Sequence, residues 1–380
     1  MIAAFTPSPA PGVFEGTVDG TRVLFNSSDR RLHVLNHSAE SLWDGLRQPT
    51  TVVTLIAEVA AAFGVDPSVI RVDAERTLDQ FVADGLAGQA HQPPPVAAPP
   101  AFVTEPKGAP AVTIAALGTT IGLHVESPTT LAAITRITGC LEASGVADAW
   151  IRLGEDGGRW TVTSSLGTCA RTGSRLAAVL RSISEINSVA VAGCDDQLVF
   201  HAAAVASANR AVLLPGPSNR GKSTLTTALV QAGYGYLTDE AAAVDSDGVV
   251  HPFAKAIALD PGSFPLFPRL APQLRDSLES VMALREWHVD PRSIGSISTS
   301  APVAAIVCPR WQPGSSVCLS RVDTIEAVHT LLGDTFDFVP HGNRIFDILL
   351  DLVGSVPVYR LRYGDLEDGV AAVGRVLANS

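Results

Sequence analysis

Hydrophobic positions in the first ninety residues change period twice. Arg22-Val-Leu-Phe and Arg31-Leu-His-Val-Leu alternate as short strands do, with Asn26-Ser-Ser-Asp as the turn between them. Beyond Asn36 the period becomes helical. A first helix, with Ser38 as its expected N-cap, places Ala39, Leu42, Trp43 and Leu46 on one face. A second, over 52–63, turns Leu55, Ile56, Val59 and Phe63 inward before Gly64 stops it. A third opens at Asp66-Pro67 and carries Ile70, Ala74, Leu78, Phe81 and Val82 in register up to Gly85.

Short strands followed by three short helices predict a small winged-helix-like module. His91–Pro106 then carries six prolines with no apolar period, which predicts a semi-rigid linker. The division expected is 1–92 for the first domain, 93–110 for the linker, 111–200 for a first part of a second region and 201–380 for the rest. The first module is expected to fold on its own. In 111–200, Val112-Thr-Ile, Ile121-Gly-Leu-His-Val and Trp160-Thr-Val-Thr read as strands, and 129–141 and 175–187 as helices. Further on come a strand at 211–214, a helix at 222–232, a strand at 236–238 and a hairpin across Asp245-Ser-Asp-Gly248. The fold class expected is α+β or α/β.

The 380 residues carry a net charge of −11, which argues against a nucleic-acid partner because phosphate backbones require clustered Lys and Arg. The module is itself acidic: six arginines face eleven acidic residues between Glu15 and Asp84, so a DNA-reading winged helix is disfavoured. The five cysteines, Cys140, Cys169, Cys194, Cys308 and Cys318, form no Cys-x-x-Cys pair and suggest neither a zinc site nor a disulfide framework. With no apolar run long enough for a membrane span, the reading is of a cytoplasmic protein with no membrane partner.

The sharpest chemical signal is Gly216-Pro217-Ser218-Asn219-Arg220-Gly221-Lys222-Ser223, followed by Thr224. It fits the spacing G-x-x-x-x-G-K-[ST] between an apolar strand and an amphipathic helix. Glycines let consecutive backbone N–H groups face an anion, and the helix start adds its positive dipole end. The loop is therefore expected to bind a purine nucleoside triphosphate, Mg-ATP, with a solvent-facing Lys222 on the β and γ phosphates and Ser223 on the metal. Asp239-Glu240 follows one helix and one strand later. The two are expected to divide their roles, one a base and one a metal ligand, with Ser223 and Glu240 as the metal set. Lys255, Arg269 and Arg310 could contact phosphate but read more readily as ordinary surface or ion-paired cations.

From His201-Ala-Ala-Ala-Val-Ala through the loop to Gly235-Tyr-Leu-Thr-Asp-Glu, the chain resembles the catalytic domain of the HPr kinase/phosphorylase family, specifically its relatives associated with peptide modification. The resemblance implies a P-loop kinase fold related to phosphoenolpyruvate carboxykinase, and phosphoryl transfer from ATP to a hydroxyl, usually of serine. It makes His201, Asp239 and Glu240 the catalytic candidates. The chain departs from the family at Glu240, where the family has a second Asp, and at Asn219, where a glycine is common. It also lacks the later signature segment, which makes HPr itself an unsuitable substrate. Leu32-His-Val-Leu-Asn36, Ala39-Glu-Ser-Leu-Trp-Asp-Gly45, Ala62-Phe-Gly-Val-Asp-Pro67 and Phe81-Val-Ala-Asp-Gly-Leu86 resemble the PqqD-like family, the RiPP recognition elements. That resemblance implies capture of a precursor (leader) peptide at a sheet edge beside the third helix.

Together these readings give a kinase for a hydroxyl of a ribosomally made precursor peptide. The alternatives are a nucleotide-dependent peptide-binding or chaperone protein without phosphoryl transfer, and a small-molecule kinase. Other peptide-modifying enzymes and a second copy of the chain are further expected partners.

Overall fold

The computed structural model describes residues 7–48, 50–89, 106–272, 286–336 and 342–379. They group into two compact units, and of the linker His91–Pro106 only Pro106 lies among the described residues.

The first unit begins with β1 (Pro7–Pro9), β2 (Val13–Val18), β3 (Thr21–Asn26) and β4 (Arg31–Val34). The helices α1 (His37–Gly45), α2 (Val52–Ala62) and α3 (Pro67–Ala83) follow, and then β5 (Ala87–Gln89), which pairs with β1. β2, β3 and β4 form an antiparallel sheet in that order, with β4 at an edge. Its helix-facing side packs Leu24 and Leu35 against Leu42, Trp43, Leu55, Ile56, Leu78 and Phe81. The α1 cap is Asn36 and not Ser38: Ala39 N donates to Asn36 Oδ1 at 2.9 Å, three positions on, while the Ser38 hydroxyl donates to the same oxygen. Phe63 also departs from expectation. It is the C-cap of α2 and 41% exposed, because the helix ends before bringing it to the inner face.

The opposite side of this sheet is apolar as well, and its cover comes from far along the chain. Residues 324–333 and 342–354 belong to the first unit, contributing the helices Thr324–Leu332 and Asn343–Ser355. The rings of Phe25 and Phe346 stack with centroids 6.0 Å apart. Leu350 lies so close to Gly16 that a side chain at position 16 would collide with it. Arg30 Nη2 donates to Leu332 O at 2.6 Å. Residues 1–92 therefore hold only part of their own core, and the expectation of an independently folding module is corrected. The sequence reading assigned no element to 343–355, and a local apolar period does not say which distant sheet a helix covers.

The second unit has two sheets. β6 (Val112–Ala116), β7 (Thr119–Val125), β8 (Ala149–Asp156), β9 (Arg159–Ser164) and β10 (Cys169–Thr172) form one in the order β10-β9-β8-β7-β6, with β7 and β8 parallel. The helices α4 (Pro128–Thr138) and α5 (Arg175–Ala192) share its apolar core, where Ile134, Ile137, Val179 and Ile186 meet Ile121, Ile151 and Val162.

The other sheet is built on β11 (Leu198–Ser207) and β12 (Arg210–Pro215), a hairpin that precedes the glycine loop and α6 (Lys222–Gln231). β13 (Gly235–Thr238) and β14 (Ala241–Val244) both pair with β11; β15 (Val249–His251) pairs with β14, and the short β16 (Ile257–Leu259) and β17 (Trp287–Val289) pair with each other. β18 (Ala301–Trp311) pairs with β15, runs parallel to β12, and continues parallel to β20 (Val358–Tyr363), with β19 (Cys318–Arg321) at the edge. The strands β12, β11, β14, β15 and β18 thus close on themselves. β12 lies hydrogen-bonded on both sides within that closed set, so the loop leaves a rigid strand end.

Candidate functional site

The loop's conformation follows from its residue types. Gly216 and Gly221 have φ of +147° and +84°, and Asn219 has φ +65°. Asn adopts the left-handed region more readily than other side-chain-bearing residues, so Asn219 fills a position where glycine is the usual solution. A side chain at Gly221 would press on Tyr363 and Trp311, which pack behind the loop. α6 starts at Lys222, with Leu225, Leu229 and Val230 buried beneath it.

A cavity of about 540 Å³ opens against this loop. His201, Ser218, Asn219, Gly221, Lys222, Ser223, Thr224, Asp239 and Glu240 all line it; Gly216, Pro217 and Arg220 do not. Lys222 is only 6% exposed, not solvent-facing as its position at a helix start suggested. Its ammonium folds back onto the carbonyls of Gly216 and Pro217, because a buried cation requires acceptors. Burial pulls its pKa below the usual lysine value, against the opposing pull of Asp334, Asp239 and Glu240.

Asp239 and Glu240 occupy the bend between β13 and β14, and their surroundings differ. Asp239 is 7% exposed and accepts from Tyr236 Oη at 2.8 Å, Ser223 Oγ at 3.1 Å and Ala258 N at 3.1 Å. Burial holds its carboxyl above the ordinary aspartate value, although Lys255 opposes the shift. Glu240, with its side chain 39% exposed, is turned towards α5, where Asn187 Nδ2 donates to Oε1 at 2.8 Å and the Lys255 ammonium meets Oε2. Ser223 is thereby paired with Asp239, not with Glu240 as the expected metal set required. The physical reason is the Lys255 ammonium, which is 3% exposed and engages the glutamate.

His201 sits on β11 with its backbone N–H donating to Asp334 O at 2.6 Å and its ring edge-on to Phe336. Burial, then Lys222, hold its pKa below the usual histidine value, so the imidazole is neutral at pH 7. Burial raises the Asp334 carboxyl, and Lys222 and Arg220 partly offset this.

Lys255 and Asn187 are among the cavity residues that the sequence reading did not place in the site. Lys255 seemed an ordinary cation, yet it is buried in the otherwise apolar run Phe253–Leu259, and a lone charge in such a run is the signal that was available. Asn187 carried no signal, since only the tertiary fold brings α5 to Glu240. Arg269 and Arg310 are exposed and line no part of the cavity. Among the described residues no cluster of three or more His, Cys, Asp or Glu side chains is arranged to hold a metal. The oxygens of Ser223 and Asp239 do suit a hard cation of the Mg²⁺ kind, which commonly takes one or two protein oxygens and completes its shell with water and phosphate. The five cysteines are free thiols, and among the described residues no helix is long and apolar enough to cross a membrane.

The first unit has a groove of about 520 Å³ between β4 and α3, lined by residues that include Leu32, His33, Val34, Thr77, Gln80 and Phe81. Leu35 N donates to Arg22 O, and the antiparallel register alternates, so the N–H groups of Leu32 and Val34 point away from β3 to the open edge. Val34 is 49% exposed. Residues 21–87, which contain this edge and helix, match the family described as coenzyme PQQ synthesis protein D (PqqD). They form a PqqD-like domain. The PqqD-like domain connects the chain with a peptide-modification pathway of the RiPP kind, in which PqqD domains bind precursor peptides and partner enzymes. No curated protein matches the chain.

Proposed function

We propose that the chain is an ATP-dependent kinase that captures a precursor peptide on its PqqD-like domain and phosphorylates a hydroxyl of it in the loop cavity. The observation that carries this reading is the convergence of Lys222, Ser223, Asp239 and Glu240 on one cavity beside a glycine loop. Backbone N–H groups of the loop and the Lys222 ammonium would hold the β and γ phosphates, and Ser223 with Asp239 would hold Mg²⁺. When bound, the metal supplies neutralisation of phosphate charge. Glu240 is the more exposed of the two carboxylates and is the base in this reading. The acceptor oxygen attacks the γ-phosphorus and its proton passes to Glu240. The bond from the γ-phosphorus to the bridging oxygen breaks, and ADP leaves with that electron pair. His201, neutral at pH 7, stands beside this carboxylate. The PqqD-like domain would raise the local concentration of the acceptor, to around millimolar over a short tether.

The test is mass spectrometry of precursor peptides encoded beside this protein, after incubation with the full chain, ATP and Mg²⁺. The expected result is a gain of one phosphoryl group that Glu240→Gln abolishes. Saturable binding of ATP and peptide with no such gain would replace the kinase with a nucleotide-dependent peptide-binding protein.

A further inference from the structure

The buried contacts of Glu240 go beyond an ordinary ion pair. Lys255 Nζ donates to Glu240 Oε2 and to Asn187 Oδ1, the latter at 2.8 Å, while Asn187 Nδ2 donates to Glu240 Oε1 at 2.8 Å. The three side chains close a ring in which each touches the other two. They come from α5, from the bend after β13 and from the segment before β16, so three separate parts of the second unit fix one carboxylate. The ammonium lies 5.1 Å from the Phe253 ring centroid and is 3% exposed, leaving it little freedom to move. A surface ion pair gains little because both partners remain mobile in water. A buried cation with two oriented acceptors instead fixes a direction, and a misplaced reacting group is expensive in rate.

We propose that Lys255 and Asn187 are positioning residues that clamp Glu240 with both carboxylate oxygens engaged from one side, presenting the carboxylate to the acceptor hydroxyl. The proposal rests on the kinase reading above. The charged and titratable groups that face Glu240 are Lys255, Lys222, Asp239, His201 and Tyr236. Lys255 is the group among them in direct contact with a Glu240 oxygen through a full positive charge. Its removal frees the carboxylate to turn away from the acceptor hydroxyl.

The experiment measures kcat and KM for ATP of transfer in the full chain. Its acceptor is the precursor peptide that gains the phosphoryl group in the assay above, and the variants are Lys255→Met, Lys255→Arg and Asn187→Leu. Lys255→Met is expected to lower kcat by about 100-fold, the loss typical of a ~1 Å misplacement. KM for ATP stays within about twofold, as expected when only transition-state interactions are lost. Lys255→Arg, which keeps the charge, retains more of the rate. Asn187→Leu lowers kcat by less, and serves as the readout if Lys255→Met fails to fold. An unchanged kcat in Lys255→Met, or in Asn187→Leu where that variant is the readout, overturns the clamp, as does a KM for ATP that rises in proportion to the loss of kcat. Equal losses in the methionine and arginine variants overturn it also. Absence of transfer by the unaltered chain overturns the kinase reading and the clamp with it, an outcome distinct from either of these.

Discussion

The groove of the first unit and the cavity of the second have nearly equal volumes, about 520 and 540 Å³, and almost opposite linings. The groove offers main chain: the outward N–H groups of Leu32 and Val34 along a strand edge, with Thr77, Gln80 and Phe81 of α3 as its other wall. His33 lies 3.7 Å from Asp84 in this groove, a long contact, and Arg76 also lines it. The cavity offers charge: two buried lysines and two carboxylates, each held by named partners. Size does not separate the two sites. Backbone at an open edge accepts many peptide sequences with modest side-chain demands, whereas oriented charges in a pocket suit a single reaction.

The comparison can be broken by showing that one site depends on the other's residues. The largest effect is expected from Lys222→Ala. Loss of charge-assisted hydrogen bonds to phosphate, about 1.5–3 kcal/mol, corresponds to a rise of roughly 10- to 150-fold in the Kd for ATP by calorimetry. Binding of labelled leader peptides, followed by fluorescence anisotropy, should stay unchanged. Val34→Pro is the converse. It removes one outward donor without costing a ladder bond to β3, so leader affinity should fall about fivefold, as for one neutral hydrogen bond of about 1 kcal/mol. ATP affinity should not move. Crossed effects in either variant would mean that the two sites do not act separately.

The smallest effect sharpens the contrast between the carboxylates. Burial raises the Asp239 pKa, so the folded protein favours the protonated form. The associated stability is present at low pH and is lost as pH rises through the folded value, which makes ionised Asp239 a liability at pH 7. Asp239→Asn should therefore melt no lower than the unaltered chain at pH 7, and any gain should shrink as pH falls below that value. A lower melting temperature across the whole range would show that the hydrogen bonds from Tyr236, Ser223 and Ala258 outweigh the burial of charge.

Local patterns carried much of this. The helices α1 to α3 announce themselves through residues such as Leu42, Leu55 and Leu78, because a helix face repeats within a few residues. The loop was legible from its spacing alone, and Asn219 is readable once its left-handed φ is known. β2 was not legible: Val13-Phe-Glu-Gly-Thr-Val alternates poorly, with Gly16 in the middle to make room for Leu350. The cap at Asn36 was misplaced by two positions because Asn and Ser are both good cap formers, and only the reach to Ala39 N separates them. The clamp on Glu240 was invisible for a deeper reason. Asn187 precedes it by 53 positions, and nothing local in α5 says which residue will face it.

The helical cover on the N-terminal sheet also sets an order of events during synthesis. Phe25 emerges early, and its partner Phe346 follows about 320 residues later, which at roughly 5–20 residues per second is about 16–64 s of ribosome time. Through that interval the face carrying Phe14, Phe25 and Gly16 waits for its helix, and transiently exposed apolar surface of this kind is prone to aggregation. A stop codon before position 343 removes the helix that carries Phe346 and Leu350. Damage to the segment 343–355 is thereby felt at the sheet that carries Phe25.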